Sequence, residues 1–244
     1  MSIIKKISEH KKKTAAVIAV LIIVCTVYLC SGYKADKDAI VDYSANFNVT
    51  KSVSGRETVF YGEEINAGLI FYPGGKVDSA SYEPLMMNLA DKGIMCVLVD
   101  MPFDLAVFDI NAADGIIERY PHTDSWYMGG HSLGGAMAAS YIAENADVFD
   151  GLILLGAYST ADISNTDLNV LSVYGSEDNV LNKEKYSECM PNLPSADEVV
   201  IKGGNHAFFG MYGKQKGDGM ATITNIDQIN ETSGAVADFV FGEE

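Results

Sequence analysis

Ser132 is the side chain whose surroundings best suit chemistry. It lies in the segment GHSLGG, residues 130–135, after a short apolar run and before an alanine-rich stretch. Glycines two positions before and after a serine are needed where a chain turns so sharply from strand to helix that any side chain would clash. Such a turn presents the hydroxyl as a nucleophile. A glycine-rich loop that merely connects two elements would contain the same residues, so the interpretation depends on partners elsewhere.

A serine hydroxyl becomes a strong nucleophile only when an imidazole takes its proton and a carboxylate orients that imidazole. His206 meets the first need, because its segment KGGNHAFF directly follows a predicted strand. The other histidines fit less well. His10 precedes a long apolar run, and His122 lies before the strand of the serine. His131 is next to Ser132, and adjacent side chains diverge.

Asp178 is the carboxylate that best completes the set. It lies in YGSEDNV, directly after another predicted strand, and Glu177 is the second candidate. On its own, Asp178 would be interpreted as an ordinary turn aspartate. However, Ser132, Asp178 and His206 occur in the order nucleophile, acid and base, each after a predicted strand. We therefore predict a Ser-His-Asp triad.

The elements that must position these side chains alternate between strands and helices. Apolar runs predict strands at residues 67–72, 94–99, 126–129, 151–155, 169–174 and 198–201. Helical periodicity covers residues 79–92, 106–120, 134–146 and 226–241. An antiparallel pair at residues 47–53 and 57–63 comes first. The pattern predicts an α/β fold, a mostly parallel eight-stranded sheet with helices on both faces and an active site at the carboxyl ends of its strands.

Over residues 47–241 the chain resembles the α/β-hydrolase family, in particular its lidless dienelactone hydrolases and small carboxylesterases. The resemblance rests on the motifs around Ser132, Asp178 and His206. In that family the nucleophile follows the fifth strand, the acid the seventh and the histidine the eighth, and the predicted strands place these residues accordingly. The resemblance therefore implies a serine hydrolase.

The resemblance also implies an oxyanion loop, YPGG at residues 72–75. Pro73 stands where the family usually has a histidine, but the donor is a backbone amide and does not depend on that side chain. The amides of Gly75 and Leu133 are the implied donors, with Lys76 as the alternative to Gly75. The implied reaction is cleavage of a small carboxylic ester or related acyl compound through an acyl-enzyme that water releases.

Several alternatives use the same residues. A peptidase, a thioesterase or an acyltransferase would keep the triad, and a non-catalytic binding module would keep only the fold. No cap domain is predicted, because only residues 158–168 separate the sixth strand from the seventh. The open site would then have apolar walls formed by Phe103, Tyr158 and Phe208, unless these side chains belong to the core.

Composition limits the partners. The 244 residues suffice for one sizeable domain, and 33 acidic against 17 basic residues give a net charge of -16. Such an acidic protein repels nucleic acid, so the predicted partner is a small acyl substrate and no nucleic acid. The four histidines are scattered and no Cys-x-x-Cys pair occurs, so neither a metal nor another cofactor is predicted.

The N-terminal region resembles a membrane anchor. Residues 14–32 are uncharged, largely apolar and close to the roughly 20 residues that span a bilayer. We predict a basic cytoplasmic segment at residues 1–13, a single-pass transmembrane signal-anchor at 14–32, a tether at 33–46 and an extracytoplasmic hydrolase domain at 47–244. The alternative is a signal peptide that is cleaved before secretion.

Overall fold

The computed structural model describes residues 2–242, apart from the side chains of residues 2–12, 25 and 30. Residue contacts divide the chain into two units, one ending at Gly32 and the other beginning at Tyr33. Each unit is described by itself.

The first unit is a single helix, α1, which spans Ser2–Cys30. It joins the predicted basic segment and the predicted anchor in one continuous helix. Among the residues that the structure describes, no helix is both long enough and apolar enough to cross a membrane. The transmembrane anchor predicted at residues 14–32 is therefore not supported, and the cellular location that was predicted with it stays a prediction.

An eight-stranded sheet forms the centre of the second unit. Its strands are β1 Thr50–Ser54, β2 Glu57–Tyr61, β3 Ala67–Tyr72, β4 Ile94–Val99, β5 Trp126–His131, β6 Gly151–Leu155, β7 Asn169–Gly175 and β8 Ala196–Ile201. Their order across the sheet is β1-β2-β4-β3-β5-β6-β7-β8. β2 is antiparallel to β1 and β4, and the other neighbouring strands are parallel. The predicted mostly parallel sheet is confirmed.

The central strands are apolar along their whole length because helices cover both faces of the sheet. Every residue of β3, β4, β5 and β6 is buried, whereas every residue of the edge strand β1 is exposed. Alternate residues of β3 point to opposite faces. Leu69 packs into one hydrophobic cluster and Ile70 into another.

The α-helices of this unit are α2 Lys37–Ser44, α3 Glu83–Asp91, α4 Leu133–Ile142, α5 Lys183–Cys189 and α6 Asn225–Phe241. Short 3-10 helices cover Ser79–Tyr82, Pro102–Asp104, Ala106–Phe108, Ile117–Arg119, Ala146–Val148, Met190–Asn192 and Ala207–Phe209. Leu85 of α3 and Ile229 of α6 share the cluster of Leu69, whereas Ile142 of α4 lies in the cluster of Ile70. The prediction of helices on both faces is thus confirmed.

Residues 33–46 are part of the domain rather than the predicted tether. Asp36 caps α2 by accepting a hydrogen bond from the amide of Ala39 (3.2 Å), and Ile40 and Tyr43, three residues apart on one helical face, are buried. The amide of Tyr33 donates to the carbonyl of Lys76 (2.7 Å), and Tyr33 forms an isolated parallel β-bridge with Val77. The chain is therefore bound to the loop after β3 even before α2 begins. Two buried side chains in a short polar helix are too few to reveal this packing in the sequence.

The helix predicted at residues 106–120 is replaced by two 3-10 turns and irregular chain. The buried side chain of Tyr72 enters this segment, donates a hydrogen bond to the carbonyl of Ile110 (2.7 Å) and accepts one from the amide of Ala113 (2.9 Å). These backbone groups are therefore satisfied by a side chain, and a regular helix is not needed to satisfy them. The opposite difference is α5, a helix that the sequence did not predict because Tyr186 is its only buried residue.

Candidate active site

Ser132 occupies a sharp turn between β5 and α4. Its backbone has φ 53° and ψ -123°, a conformation that is strained for a residue with a side chain. A Cβ atom on Gly130 would lie 2.6 Å from the carbonyl carbon of Gly134, and one on Gly134 would lie 2.2 Å from the carbonyl oxygen of Pro73. Both distances are too short for real atoms. The two glycines are therefore required by close backbone packing, as expected for a turn that presents a nucleophile.

Backbone strain is concentrated around this turn. In the part of the chain that the structure describes, the non-glycine residues with positive φ are Lys76, Phe103, Asp104 and Ser132. The amide of Lys76 donates to the carbonyl of Asp104 (2.6 Å), and the ammonium group of Lys76 donates to the carbonyl of Phe103 (3.3 Å). Such conformations cost about 1–3 kcal/mol each and cluster at functional sites. The strained loops identify this end of the sheet as the candidate site.

Asp178 and His206 form a buried pair at the same end of the sheet. The Nδ1 atom of His206 lies 2.8 Å from Oδ2 of Asp178. The other carboxylate oxygen, Oδ1, accepts hydrogen bonds from the amides of Val180 (2.9 Å) and Leu181 (2.8 Å). Glu177, the second candidate for the acid, is exposed and accepts instead from the neighbouring serine hydroxyl. The structure thus pairs His206 with Asp178.

The remaining ring nitrogen of His206 has the properties of a base. Because Nδ1 donates its proton to the carboxylate, Nε2 of the neutral ring carries a lone pair. In the described part of the chain this buried Nε2 has no hydrogen-bond partner. No hydrogen bond joins it to the hydroxyl of Ser132 among the described contacts, and catalytic hydrogen bonds often tighten only when substrate binds. The predicted acid and base are thus hydrogen-bonded to each other, whereas no described hydrogen bond joins the serine to the predicted base.

Several contacts place Ser132 beside this pair. The amide of Ser132 donates to the carbonyl of Leu155 (2.9 Å), and Gly156 follows directly. A Cβ atom on Gly156 would lie 3.0 Å from Nδ1 of His206 and 3.2 Å from Oδ2 of Asp178. The ring of His131, next to Ser132, is centred 4.4 Å from the ring of His206. The three predicted triad residues therefore converge on one small region.

The amides of the predicted oxyanion loop differ in their partners. The amide of Gly74 donates to the hydroxyl of Tyr82 (3.0 Å), and the amide of Lys76 is engaged with a carbonyl. The amide of Gly75 has no hydrogen bond within the part of the chain that the structure describes. A Cβ atom on Gly75 would lie 2.8 Å from a methyl group of Leu133, so the two predicted donors are neighbours. Of the two alternatives, the geometry favours Gly75 over Lys76.

Leu133 is the first residue of α4, and the first hydrogen bond of that helix runs from the amide of Ala136 to the carbonyl of Ser132 (3.1 Å). The amides before Ala136 have no acceptor within the helix, because the first turn of a helix leaves its N–H groups unpaired. The helix dipole adds partial positive charge at the same end. The amide of Leu133 can therefore stabilise negative charge that develops near Ser132.

Tyr82 and His131 connect the predicted oxyanion loop to the turn of the serine, and no sequence pattern indicates this role. The Tyr82 hydroxyl accepts a hydrogen bond from the amide of Gly74 (3.0 Å) and is hydrogen-bonded to Nδ1 of His131 (2.7 Å). Burial, and then the neighbouring His206, hold the pKa of His131 well below its ordinary value, so the ring is neutral. Tyr82 matched only the apolar face of a predicted helix, and such a face does not show where a hydroxyl will point.

The predicted substrate contacts are less clearly placed. Phe103 is 55% exposed and packs edge-on against Phe108, with ring centroids 5.8 Å apart, on the loop that contacts Lys76. Phe208 is half-buried and lines a cavity of about 560 Å³ that it shares with residues of α2. Tyr158 is half-buried in the segment after β6. None of the three touches the triad through a hydrogen bond or ring contact that the structure describes, so their roles stay predictions.

Residues 2–242, as far as their side chains are described, contain no group of three or more histidine, cysteine, aspartate or glutamate residues that could hold a metal ion. The stretch between β6 and β7 contains turns and bends but no helix. No inserted cap therefore lies between these strands.

Comparison with known proteins agrees with this fold. A model of the alpha/beta hydrolase family matches residues 68–230, which is more than half of the chain. The chain belongs to the alpha/beta hydrolase family. The predicted family and the prediction of a hydrolase enzyme are thereby confirmed.

Solved structures share the fold of this hydrolase. A predicted CIB-like hydrolase from Thermoplasma acidophilum is 15% identical, with a TM-score of 0.55 over 79% of this chain and 97% of that chain. Est1E from Butyrivibrio proteoclasticus is 14% identical, with a TM-score of 0.57 over 79% of this chain and 98% of that chain. At such low identity the likeness concerns the fold alone. No curated protein sequence matches the hydrolase significantly.

Proposed function

We propose that the hydrolase cleaves a small carboxylic ester, or a related acyl compound, through Ser132, His206 and Asp178. The observation that carries the proposal is the buried pair of His206 and Asp178, 2.8 Å apart, with the unpaired Nε2 of His206 beside the strained turn of Ser132. This arrangement supplies a nucleophile, a base and a group that orients the base.

In the proposed reaction Nε2 of His206 takes the proton of the Ser132 hydroxyl while the oxygen attacks the substrate carbonyl. The amides of Gly75 and Leu133 donate to the oxyanion that forms. Each such donor is typically worth about 2.7–4 kcal/mol of barrier. Nε2 then gives its proton to the leaving group, and water, deprotonated by the same nitrogen, releases the acyl group. Asp178 stays ionised and stabilises the protonated ring.

The short loops around the site favour a small substrate. The segment between β6 and β7 has no helix that could cover the serine, and the apolar loop of Phe103 borders the proposed oxyanion donors. Nothing in this arrangement distinguishes an ester from a thioester or an activated amide, since all three pass through a tetrahedral oxyanion. A panel of short-chain esters, thioesters and amides therefore defines the bond type.

A fluorophosphonate probe tests the proposed nucleophile, because only an activated serine reacts with it. The Ser132→Ala variant is expected to lose labelling and to lose kcat for a short-chain ester by a factor on the order of 10⁶. Ser140→Ala is the matched control, since Ser140 lies on α4, the helix that follows Ser132, and its hydroxyl donates to a carbonyl of that helix (3.0 Å). Its labelling and kcat should equal those of the wild type.

Two results would overturn the proposal. Labelling that persists in Ser132→Ala would assign the reactive serine elsewhere. A wild-type protein that is folded but neither labels nor hydrolyses any member of the panel would favour the non-catalytic binding module.

A further inference from the structure

Asp218 links the loop that carries the acid to the loop that carries the base. Its Oδ1 atom accepts hydrogen bonds from the amides of His206 (3.2 Å) and Asn179 (3.4 Å), and Oδ2 accepts from the amide of Ala207 (2.8 Å). Oδ1 also accepts from the amide of Gly219 (2.8 Å). One carboxylate thus holds amides from the residue after the acid, from the base itself and from the residue after the base.

The segment of Asp218 is built to lie against both loops. A Cβ atom on Gly219 would lie 1.8 Å from the carbonyl oxygen of Glu177, so only glycine allows this approach to the acid loop. The carbonyl of Gly219 accepts from the side chain of Asn205 (2.9 Å), the residue before the base. Residues 218 and 219 therefore both contact the acid loop and the base loop.

The charge of Asp218 strengthens these contacts. A carboxylate offers about four acceptor sites, and hydrogen bonds to an ionised acceptor are shorter and stronger than neutral ones. Asp218 is half-buried, so solvent competes only partly for its oxygens. The peptide planes on the two sides of the Cα atom of His206 set the direction of its side chain. Asp218 accepts from the amide of each plane and also from the amide of Asn179 in the acid loop.

We propose that Asp218 is a positioning residue, which keeps Nδ1 of His206 on Asp178 and thereby aims Nε2 at Ser132. Its effect on turnover rests on the proposed function, whereas its effect on the histidine does not. The sequence could not indicate this role, because Asp218 is 39 residues from its partner in the acid loop and 12 from the base.

Kinetics provide the first test. Asp218→Ala removes all the hydrogen bonds of the carboxylate and should lower kcat by roughly 10- to 100-fold, since a misplacement of about 1 Å costs on the order of 10² in rate. KM should stay within about 3-fold of the wild type, because no substrate contact is removed. Asp218→Asn keeps one acceptor oxygen, so its kcat should lie between those of the wild type and Asp218→Ala.

The matched control is Asp150→Ala. The carboxylate of Asp150 also accepts a hydrogen bond from a backbone amide, that of Trp126 (2.8 Å), but at the N-terminal end of β5, whereas Ser132 follows the C-terminal end of that strand. Its loss should lower thermal stability and leave kcat unchanged.

Proton NMR provides the second test and needs no substrate. The proton on Nδ1 of His206, hydrogen-bonded to buried Asp178, should give a far-downfield signal, assigned by its absence in His206→Gln. The signal should be lost or shifted in Asp218→Ala, partly retained in Asp218→Asn and unchanged in Asp150→Ala. The proposal is overturned if the signal of the Nδ1 proton keeps its wild-type chemical shift and intensity in folded Asp218→Ala, or in Asp218→Asn if the alanine variant does not fold. If the signal is lost in Asp218→Ala while the wild-type protein hydrolyses no member of the substrate panel, the result would support the positioning role and reject only the proposed function.

Discussion

Gly156 offers a direct way to displace the proposed acid and base, Asp178 and His206, without removing either of them. Gly156 follows β6 with φ +52°, and a Cβ atom there would lie 3.0 Å from Nδ1 of His206 and 3.2 Å from Oδ2 of Asp178. Ordinary contacts of a carbon atom are about 3.5–4.0 Å. In Gly156→Ala the new methyl group must therefore push the histidine away by about 0.5 Å.

The expected size of the effect follows from this displacement. If a misplacement of about 1 Å costs on the order of 10² in rate, a shift of about 0.5 Å costs about 10-fold in kcat. The variant should also lose about 1–2 kcal/mol of stability, because alanine is strained in the left-handed region. For a domain of this size that loss lowers the melting temperature by roughly 2–8 °C.

Gly55→Ala is the matched control. Gly55 lies in the turn between β1 and β2 with φ +61°, and no atom lies within 4 Å of the Cβ position. The control introduces the same backbone strain without the contact. Both variants should melt at a similar lower temperature, but only Gly156→Ala should lose turnover of a short-chain ester. Wild-type kcat in Gly156→Ala, or an equal loss in Gly55→Ala, would refute the reasoning.

Two further predictions concern the link between the oxyanion loop and the serine turn. Tyr82→Phe leaves the amide of Gly74 and Nδ1 of His131 without a hydrogen-bond partner. Each unpaired buried group should lower the free energy of unfolding, measured in urea, by about 1–3 kcal/mol. The kcat should fall with KM unchanged, and an unaltered kcat would argue against a supporting role for Tyr82. Burial holds the pKa of His131 well below the value of about 6.5 that it has when unfolded, so below that pH the unfolded chain binds a proton that the folded chain does not. The free energy of unfolding should therefore decrease as the pH falls from about 6.5 to about 5, and His131→Gln should weaken this decrease; an identical pH dependence in the variant would contradict it.

Continuous apolar segments made the sheet predictable. A strand such as β3 is buried on both faces, so its sequence is an uninterrupted apolar run. The residues of the proposed triad could be selected because each follows such a run. Gly130 and Gly134 were interpretable because their packing excludes any side chain. These features depend on residues close together in the chain.

Features that depend on distant contacts were not predictable. The buried hydroxyl of Tyr72 bonds to the backbone of residues 110 and 113, and the periodicity of that segment gives no hint of such a partner. α2 was missed because Ile40 and Tyr43 are too few to form an apolar stripe. Asp218 acts through backbone amides, which every sequence contains, so only the folded chain shows which amides its carboxylate meets.

The pairing of Tyr33 decides where a shortened form of the protein can begin. The sheet pattern starts near residue 47, which would suggest a truncation boundary there. Such a cut would remove the hydrogen bond from the amide of Tyr33 to the carbonyl of Lys76 (2.7 Å) and the one from the amide of Asp78 to the carbonyl of Tyr33 (3.0 Å). Lys76 and Asp78 lie in the segment that directly follows Gly75. It would also expose the core surface under α2. An expression boundary that preserves the proposed oxyanion loop therefore lies before Tyr33.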